Sequence, residues 1–191
     1  MKLKFDEDTH TYTLDDKVIP SVTQILSIVN DFSHVSTDLL YRASKFGTAV
    51  HKATELYDDN ELNEETLDLA LVSHLDGWKK FLSDTKFEVL ESETRVYSEQ
   101  GYAGTFDRLG KLANKLTLLD IKTSTTVARS TSLQLAAYKQ AYEEMTGEHI
   151  EQLISVQLKP GNYSIKIYDD PTDFLTFRNF LSVYQWSHQN A

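Results

Sequence analysis

Apolar residues recur along this chain at two spacings: every second position in short segments, and every third or fourth position in longer ones. The first spacing predicts β-strands and the second predicts amphipathic helices. Residues 3–19 carry three short alternating runs and predict a β-hairpin. Helices are predicted directly after Ser21, from Thr37 onward, and over 64–82, 130–146 and 172–187. Strands are predicted over 86–98, 102–109, 116–122, 152–158 and 163–168, and a polar loop over 31–38.

This order of elements predicts an α/β (α+β) class, with a central mixed β-sheet flanked by helices. The chain has 191 residues, a length that suits one domain over 1–191 with an N-terminal β-hairpin and a helical segment before the sheet. We find no internal repeat or low-complexity segment in the sequence. The helix over 130–146 is predicted to connect two strands by a right-handed crossover.

Two acids and a lysine interrupt strand segments that are otherwise apolar. Asp107 ends one apolar run, Asp120 lies inside the next, and Lys122 follows two positions later. Residues i and i+2 of a strand share a face, so Asp120 and Lys122 lie side by side. If the two strands form a hairpin centred near residues 113–114, Asp107 falls roughly opposite Asp120, at a distance of about 4.5–5.5 Å.

Two interpretations of these charges remain open at this point. A divalent metal ion held by Asp107 and Asp120 would offset the repulsion between the carboxylates, and Lys122 would orient a water molecule beside it. Alternatively, the segment is a hairpin with an Asp–Lys pair at its surface. A buried charge is costly unless it is paired or bound to a metal, so two acids and a lysine in apolar segments call for an explanation.

Other polar residues are candidates for the same site. In the helix from Thr37, the residues Gly47, His51 and Glu55 share a stripe. A glycine inside a helix costs about 1 kcal/mol relative to alanine, and it indicates close approach of another group. Taken alone, His51 is more often a histidine packed at the core boundary. Charged positions in the strand over 86–98 indicate a bulge, which can turn Glu93 toward the two aspartates.

Composition narrows the chemistry. The chain contains no cysteine, which excludes disulfides, thiolate zinc sites, iron–sulfur clusters and a cysteine nucleophile. The net charge of −10 disfavours a broad nucleic-acid-binding surface but is compatible with a narrow basic groove. There is no P-loop, so no nucleotide cofactor is expected. The first residues carry no apolar secretory signal, and no run reaches membrane-spanning length.

Four short motifs in order resemble the PD-(D/E)XK nucleases. They are G-T-A-V-H at 47–51, G-T-F-D at 104–107, L-L-D-I-K-T at 118–123 and Q-L-A-A-Y at 134–138. The arrangement is similar to the RecB-like branch, with the RecB and AddAB nuclease domains, the Cas4 nucleases and phage exonucleases. P-S-V-T-Q-I-L at 20–26 also resembles the mitochondrial genome maintenance exonuclease and its phage relatives. The resemblance implies a restriction-endonuclease-like core.

The resemblance also implies roles for residues. One or two Mg²⁺ or Mn²⁺ ions would be bound by His51, Asp107, Asp120 and the carbonyl of Ile121. Asp107, Asp120 and Lys122 would form the catalytic set, with Phe106 where the motif's name has proline. Gln134 and Tyr138 would hold the site and the substrate strand.

The segment after the lysine supplies further candidates for substrate contact. We expect Thr123, Ser124 and Arg129 to contact DNA phosphates. Tyr102 and Tyr138 are predicted to stack bases of a single strand.

The function implied is a metal-dependent DNA exonuclease that prefers single-stranded DNA or free ends, in recombination, repair or replication processing. It would act in the cytoplasm of a bacterial cell or phage-infected host, beside a single-strand annealing protein as partner. One alternative is a structure-specific or restriction-type endonuclease. Another is a non-catalytic DNA- or protein-binding module on a nuclease fold.

Overall fold

The computed structural model describes residues 1–30 and 35–188, so the loop predicted over 31–38 lies partly outside the described residues. The strands are β1 Leu3–Asp6, β2 Thr11–Leu14, β3 Lys17–Ile19, β4 Glu88–Ser98, β5 Tyr102–Leu112, β6 Lys115–Lys122, β7 Gln152–Lys159 and β8 Asn162–Tyr168. The helices are α1 Val22–Leu26, α2 Thr37–Asp58, α3 Leu69–Thr85, α4 Ser130–Thr146 and α5 Asp173–His188, with a 3₁₀ turn at Glu64–Thr66.

The larger sheet has the strand order β4-β5-β6-β7-β8. Its pairs are antiparallel except β6 and β7, which run parallel and are connected through α4. A parallel pair needs such a crossover, because a tight turn can only join antiparallel strands. The predicted α+β arrangement, a mixed sheet flanked by helices, is confirmed.

The predicted N-terminal hairpin is in fact a three-stranded antiparallel sheet, β1-β2-β3. Asp15 and Asp16 both adopt positive φ, 45° and 67°, and turn the chain tightly between β2 and β3. Such a two-residue turn matches the twist of paired strands. The third alternating run, β3, therefore pairs with β2, and the predicted hairpin lacked this third strand.

Local capping decides where the helices begin. Ser21 caps α1 as predicted: its side chain accepts a hydrogen bond from the Gln24 N–H, and the Gln24 side chain accepts one from the Ser21 N–H. The helix predicted over 64–82 begins later than residue 64, because the Asp68 side chain caps α3. α4 has the predicted bounds and ends at Gly147, whose φ is 77°.

Each face of the larger sheet carries a hydrophobic core. One cluster joins the sheet to α1, α4 and α5, and the other joins it to α2 and α3. Strand β6 contributes to both, with Leu118 in the first cluster and Leu119 and Ile121 in the second. This alternation places Asp120 on the α4 side. Within the described residues, no helix is both long and apolar enough to cross a membrane.

Candidate metal centre

The β5–β6 hairpin brings the two aspartates to adjacent strands, as predicted. Its turn residues Ala113 and Asn114 have φ values of 50° and 66°, typical of a two-residue hairpin turn. The paired register ends at Arg108 opposite Leu119, and Asp107 and Asp120 are next in line. β5 continues through Gly110 and Lys111 to Leu112, beyond the end of the strand predicted over 102–109.

The two strands part at this point, and a side chain fills the gap. The Asp107 carboxylate accepts a hydrogen bond from the Ile121 N–H at 2.5 Å, where a backbone carbonyl would otherwise be the acceptor. The Ile121 carbonyl accepts one from His51 Nε2 at 3.1 Å. The site therefore lies at the end of β6, in the fork between strands.

Lys122 and Asp120 share a face, as predicted, and contact each other. Lys122 Nζ donates to Asp120 Oδ1 at 2.8 Å and to Gln134 Oε1 at 3.3 Å. The Gln134 amide in turn donates to the Tyr138 hydroxyl at 3.2 Å. This chain of hydrogen bonds fixes the lysine relative to α4.

His51 extends from α2 to the same point. Its Nδ1 lies 3.4 Å from Asp107 Oδ1 and 3.8 Å from Glu93 Oε1. One ligand atom of each of these three residues lies within 4.8 Å of the others, a span that one cation can bridge.

Glu93 joins the cluster because β4 is irregular. The β4–β5 register shifts between Val89 and Glu91, and Glu93 itself has a φ of 47°. A left-handed conformation is uncommon for a residue other than glycine, and strain of this kind costs on the order of 1–3 kcal/mol. The bulge suspected from the sequence is present, and Glu93 faces the aspartates' site.

The electrostatics of the site follow from crowding of acids. Burial, together with the nearby charge of Asp107, raises the pKa of Asp120 to about 6, and Lys122 offsets part of this shift. Burial opposes charge on His51, but Asp107 and Glu93 outweigh it and raise the histidine's pKa to about 10. Burial also opposes charge on Asp107, yet the charge on His51 lowers the pKa of this carboxyl. In the metal-free protein, therefore, a proton on His51 supplies the positive charge that a metal ion would replace.

The donor set fits a hard divalent cation. Carboxylate and carbonyl oxygens with one imidazole are ligands that suit Mg²⁺ and Mn²⁺. Asp120 Oδ2 is buried and has no hydrogen-bond partner among the described residues. Buried polar atoms are rarely left without a partner, and a bound cation would satisfy this one.

The remaining predicted residues divide into those near the site and those apart from it. Thr123 directly follows Lys122, and its Oγ1 faces Gly47 of α2. The Ser124 hydroxyl donates to the Thr126 carbonyl within an exposed loop. Glu55 forms an ion pair with Lys52 at 2.8 Å and is not in the three-residue group. Arg129 precedes α4 and lines a separate cavity of about 730 Å³.

Base stacking by Tyr102 and Tyr138 was a wrong prediction. Their exposed fractions are 0% and 4%, so neither ring is open to a base. The Tyr102 hydroxyl donates to the Ala137 carbonyl at 3.0 Å. The Tyr138 ring lies directly against Gly104, where an added Cβ would overlap it. Tyr138 therefore contacts Gln134 through its hydroxyl, and its ring is closed to a stacked base in this conformation.

Sequence reasoning missed Arg108, which is fully buried beside Asp107. It also missed Asp58, which ends α2 and pairs with Arg108 at 2.7 Å. The sequence does contain a sign of this role, because Arg108, like Asp120, is a charged residue inside an otherwise apolar strand.

Comparisons with known proteins identify neither a family nor a function for this chain. No protein-family model matches the sequence, and no curated protein matches it. Among solved structures, it is similar to the crystal structure of SSO0001, with a TM-score of 0.39 and 20% identity. The match covers 63% of this chain and 58% of that one, so the chain spans less than two thirds of that protein's length. A similarity at this level carries no argument about fold or function.

Proposed function

We propose that the protein is a Mg²⁺- or Mn²⁺-dependent nuclease that hydrolyses DNA phosphodiester bonds, built on a restriction-endonuclease-like core. One observation carries the proposal. The resembling motifs come from four separate segments, and their polar residues converge on the fork at the end of β6, where Asp120 Oδ2 has no described partner. Packing alone gives no reason for that convergence.

In this proposal His51, Asp107, Asp120 and the Ile121 carbonyl hold the ion, with Glu93 in reach. A bound divalent ion supplies Lewis-acid activation of the phosphodiester and lowers the pKa of bound water. Burial opposes charge on Lys122, but Asp120 and Asp107 outweigh it and raise the pKa of the lysine in the metal-free protein. Held by Asp120 and Gln134, its ammonium is placed to stabilise negative charge that develops on the phosphate or to orient the water.

The substrate we favour is DNA with single-stranded or free ends, processed as an exonuclease. Support comes from the branch of nucleases that the motifs resemble and from the net charge of −10, which disfavours a broad duplex-binding surface. Thr123 and Ser124, in the segment that follows Lys122, are proposed to contact phosphates. The same resemblance favours a cytoplasmic enzyme of DNA recombination, repair or replication, with a single-strand annealing protein as partner.

The test is digestion of labelled linear single-stranded, linear double-stranded and circular single-stranded DNA with Mg²⁺ or Mn²⁺. We expect the wild-type protein to degrade linear DNA only with metal, and the Asp120→Ala and Lys122→Ala variants to lose about 100-fold or more of the rate. Lys139→Ala is the matched control, since this lysine bonds to the Ile150 carbonyl away from the site.

Each other outcome has a definite meaning. No metal-dependent cleavage by the wild type contradicts the nuclease proposal and leaves the non-catalytic binding module. Undiminished cleavage by both site variants contradicts the site assignment. Cleavage of the circular single strand identifies an endonuclease in place of an exonuclease.

A further inference from the structure

Arg108 is a fully buried cation directly after the proposed ligand Asp107, and all three of its nitrogens donate hydrogen bonds. Its Nε donates to Asp58 Oδ2 at 2.7 Å, and its Nη2 donates to Thr54 Oγ1 at 3.1 Å. Its Nη1 donates to the Asp107 carbonyl at 2.6 Å and to Glu93 Oε1 at 3.4 Å. The guanidinium thus has a described acceptor for every nitrogen.

These acceptors lie on the three elements that carry the His51, Glu93 and Asp107 group. The Thr54 hydroxyl accepts from Arg108 and donates to the His51 carbonyl at 2.9 Å, so the arginine reaches the histidine's backbone through one intermediate. The contacts to Asp107 and Glu93 are direct. Arg108 therefore connects α2, β4 and β5 at the point where their ligand side chains meet.

The other end of the network is anchored in the core. Asp58 Oδ1 accepts from Trp78 Nε1 of α3 at 2.8 Å, and the guanidinium lies 5.7 Å from the centre of the Trp78 ring. Trp78 is itself fully buried. The arginine thus holds α2 against the strands from a position that is fixed on both sides.

Stability alone is a weak reason for this arrangement. A buried ion pair pays a large desolvation cost, and apolar residues of similar volume often serve as well. One aspartate would neutralise the arginine. The further hydrogen bonds go instead to the Glu93 side chain, the Asp107 carbonyl and the Thr54 hydroxyl. The Thr54 hydroxyl in turn donates to the His51 carbonyl.

We propose that Arg108 is a positioning residue of the metal centre: it fixes His51, Glu93 and Asp107 relative to one another and so sets the affinity for the divalent ion. The inference rests on the proposed function in that it takes the site to bind metal. Residues that orient metal ligands typically change metal affinity or activity by about 10–100-fold when they are replaced.

The experiment compares Mn²⁺ binding by calorimetry in the wild type and in Arg108→Lys. Lysine keeps the charge opposite Asp58 but lacks the planar fork that reaches several acceptors at once. We expect Arg108→Lys to weaken Mn²⁺ binding by about 10-fold or more, and saturating Mn²⁺ to recover most of its DNA cleavage. Leu181→Ala is the matched control, since it removes core packing on the opposite face of the sheet and should leave Mn²⁺ affinity unchanged.

Circular dichroism establishes that each variant is folded. If Arg108→Lys does not fold, Thr54→Val replaces it, because it removes one acceptor of the network and keeps the side-chain volume; a loss of Mn²⁺ affinity of about 10-fold is expected there as well. Wild-type Mn²⁺ affinity in the folded Arg108→Lys protein, or in Thr54→Val where that variant is used, would overturn the proposal.

The wild-type measurements separate this inference from the proposed function. A wild type that binds Mn²⁺ but cuts no DNA contradicts the nuclease and leaves the role of Arg108 to be decided by the variants. A wild type that cuts DNA while Arg108→Lys binds Mn²⁺ equally well contradicts the inference alone. A wild type that binds no Mn²⁺ overturns both.

Discussion

Asp120 combines features that are costly in a folded protein unless a ligand compensates them. It is 3% exposed, one of its oxygens contacts Lys122, and the other has no described partner. Burial raises its pKa from 3.8 to about 6. The folded, metal-free protein therefore binds a proton at Asp120 more tightly than the unfolded chain does.

This difference predicts a pH dependence of stability without metal. Because the folded pKa is above the unfolded one, the free energy of unfolding falls as pH rises from about 4 to about 6, and this contribution stays lost above that range. Urea unfolding in a chelator across this range should show the decline in the wild type and a flatter profile in Asp120→Asn. Parallel profiles for the two proteins would contradict the assignment of the titration to Asp120.

At the scale of elements, replacing a glycine by alanine should have opposite effects on stability at two positions, Gly104 and Gly47. A Cβ at Gly104 of β5 would overlap the Tyr138 ring of α4, whereas a Cβ at Gly47 of α2 would lie 3.5 Å from Thr123 Oγ1 in ordinary contact. Gly104→Ala should cost about 1–3 kcal/mol, and Gly47→Ala should gain up to about 1 kcal/mol from helix propensity. Chemical denaturation measures both.

A double-mutant cycle with Tyr138 tests the cause of the effect expected for Gly104→Ala. Replacing Tyr138 by alanine in the Gly104→Ala background should make the two effects less than additive, because the clash is with the ring. Strict additivity of the two free-energy changes would show that the contact between β5 and α4 is not tight at this point.

The elements that carry the site were largely predictable from local chemistry. The turn at Asn114 and the position of Asp107 and Asp120 follow from alternation and from a residue type that tolerates positive φ. Ser21 and Gly147 mark helix ends for equally local reasons. Such features depend on a few neighbouring residues, so sequence patterns reveal them.

Tertiary packing decided what the sequence did not show. The burial of Tyr138 depends on Gly104, which is distant in sequence and adjacent in space. The charge of Arg108 is compensated by Asp58, fifty residues earlier in the chain. The sequence places Glu93 in a charged strand, but whether its side chain reaches His51 depends on the local φ of 47°.

At the scale of the whole molecule, the site joins structures from both faces of the sheet. His51 comes from α2, which packs on one core, and Gln134 comes from α4, which packs on the other. A ligand bound here connects both layers and stabilises the folded state by mass action. Mn²⁺ at about 100 times its Kd should raise the free energy of unfolding by about 2.7 kcal/mol.

That stabilisation is measured by thermal unfolding with and without Mn²⁺. Wild-type Tm should rise with Mn²⁺ concentration, and the Asp107→Asn variant should show little rise. Asp173→Asn is a suitable control. This aspartate lies at the start of α5, outside the proposed metal centre, and accepts a hydrogen bond from Ser132 of α4. An equal rise in all three proteins would indicate metal binding elsewhere on the acidic surface.

The most direct test of the metal centre is a crystal soaked in Mn²⁺, with diffraction collected to record the anomalous signal of manganese. The proposed metal centre predicts a peak in the fork at the end of β6, within about 2.0–2.6 Å of oxygens from Asp107, Asp120 and the Ile121 carbonyl, with a His51 nitrogen as a further ligand. The same map decides whether Glu93 is a ligand. Absence of a peak at this fork in a crystal that binds Mn²⁺ at other acidic residues would contradict the account.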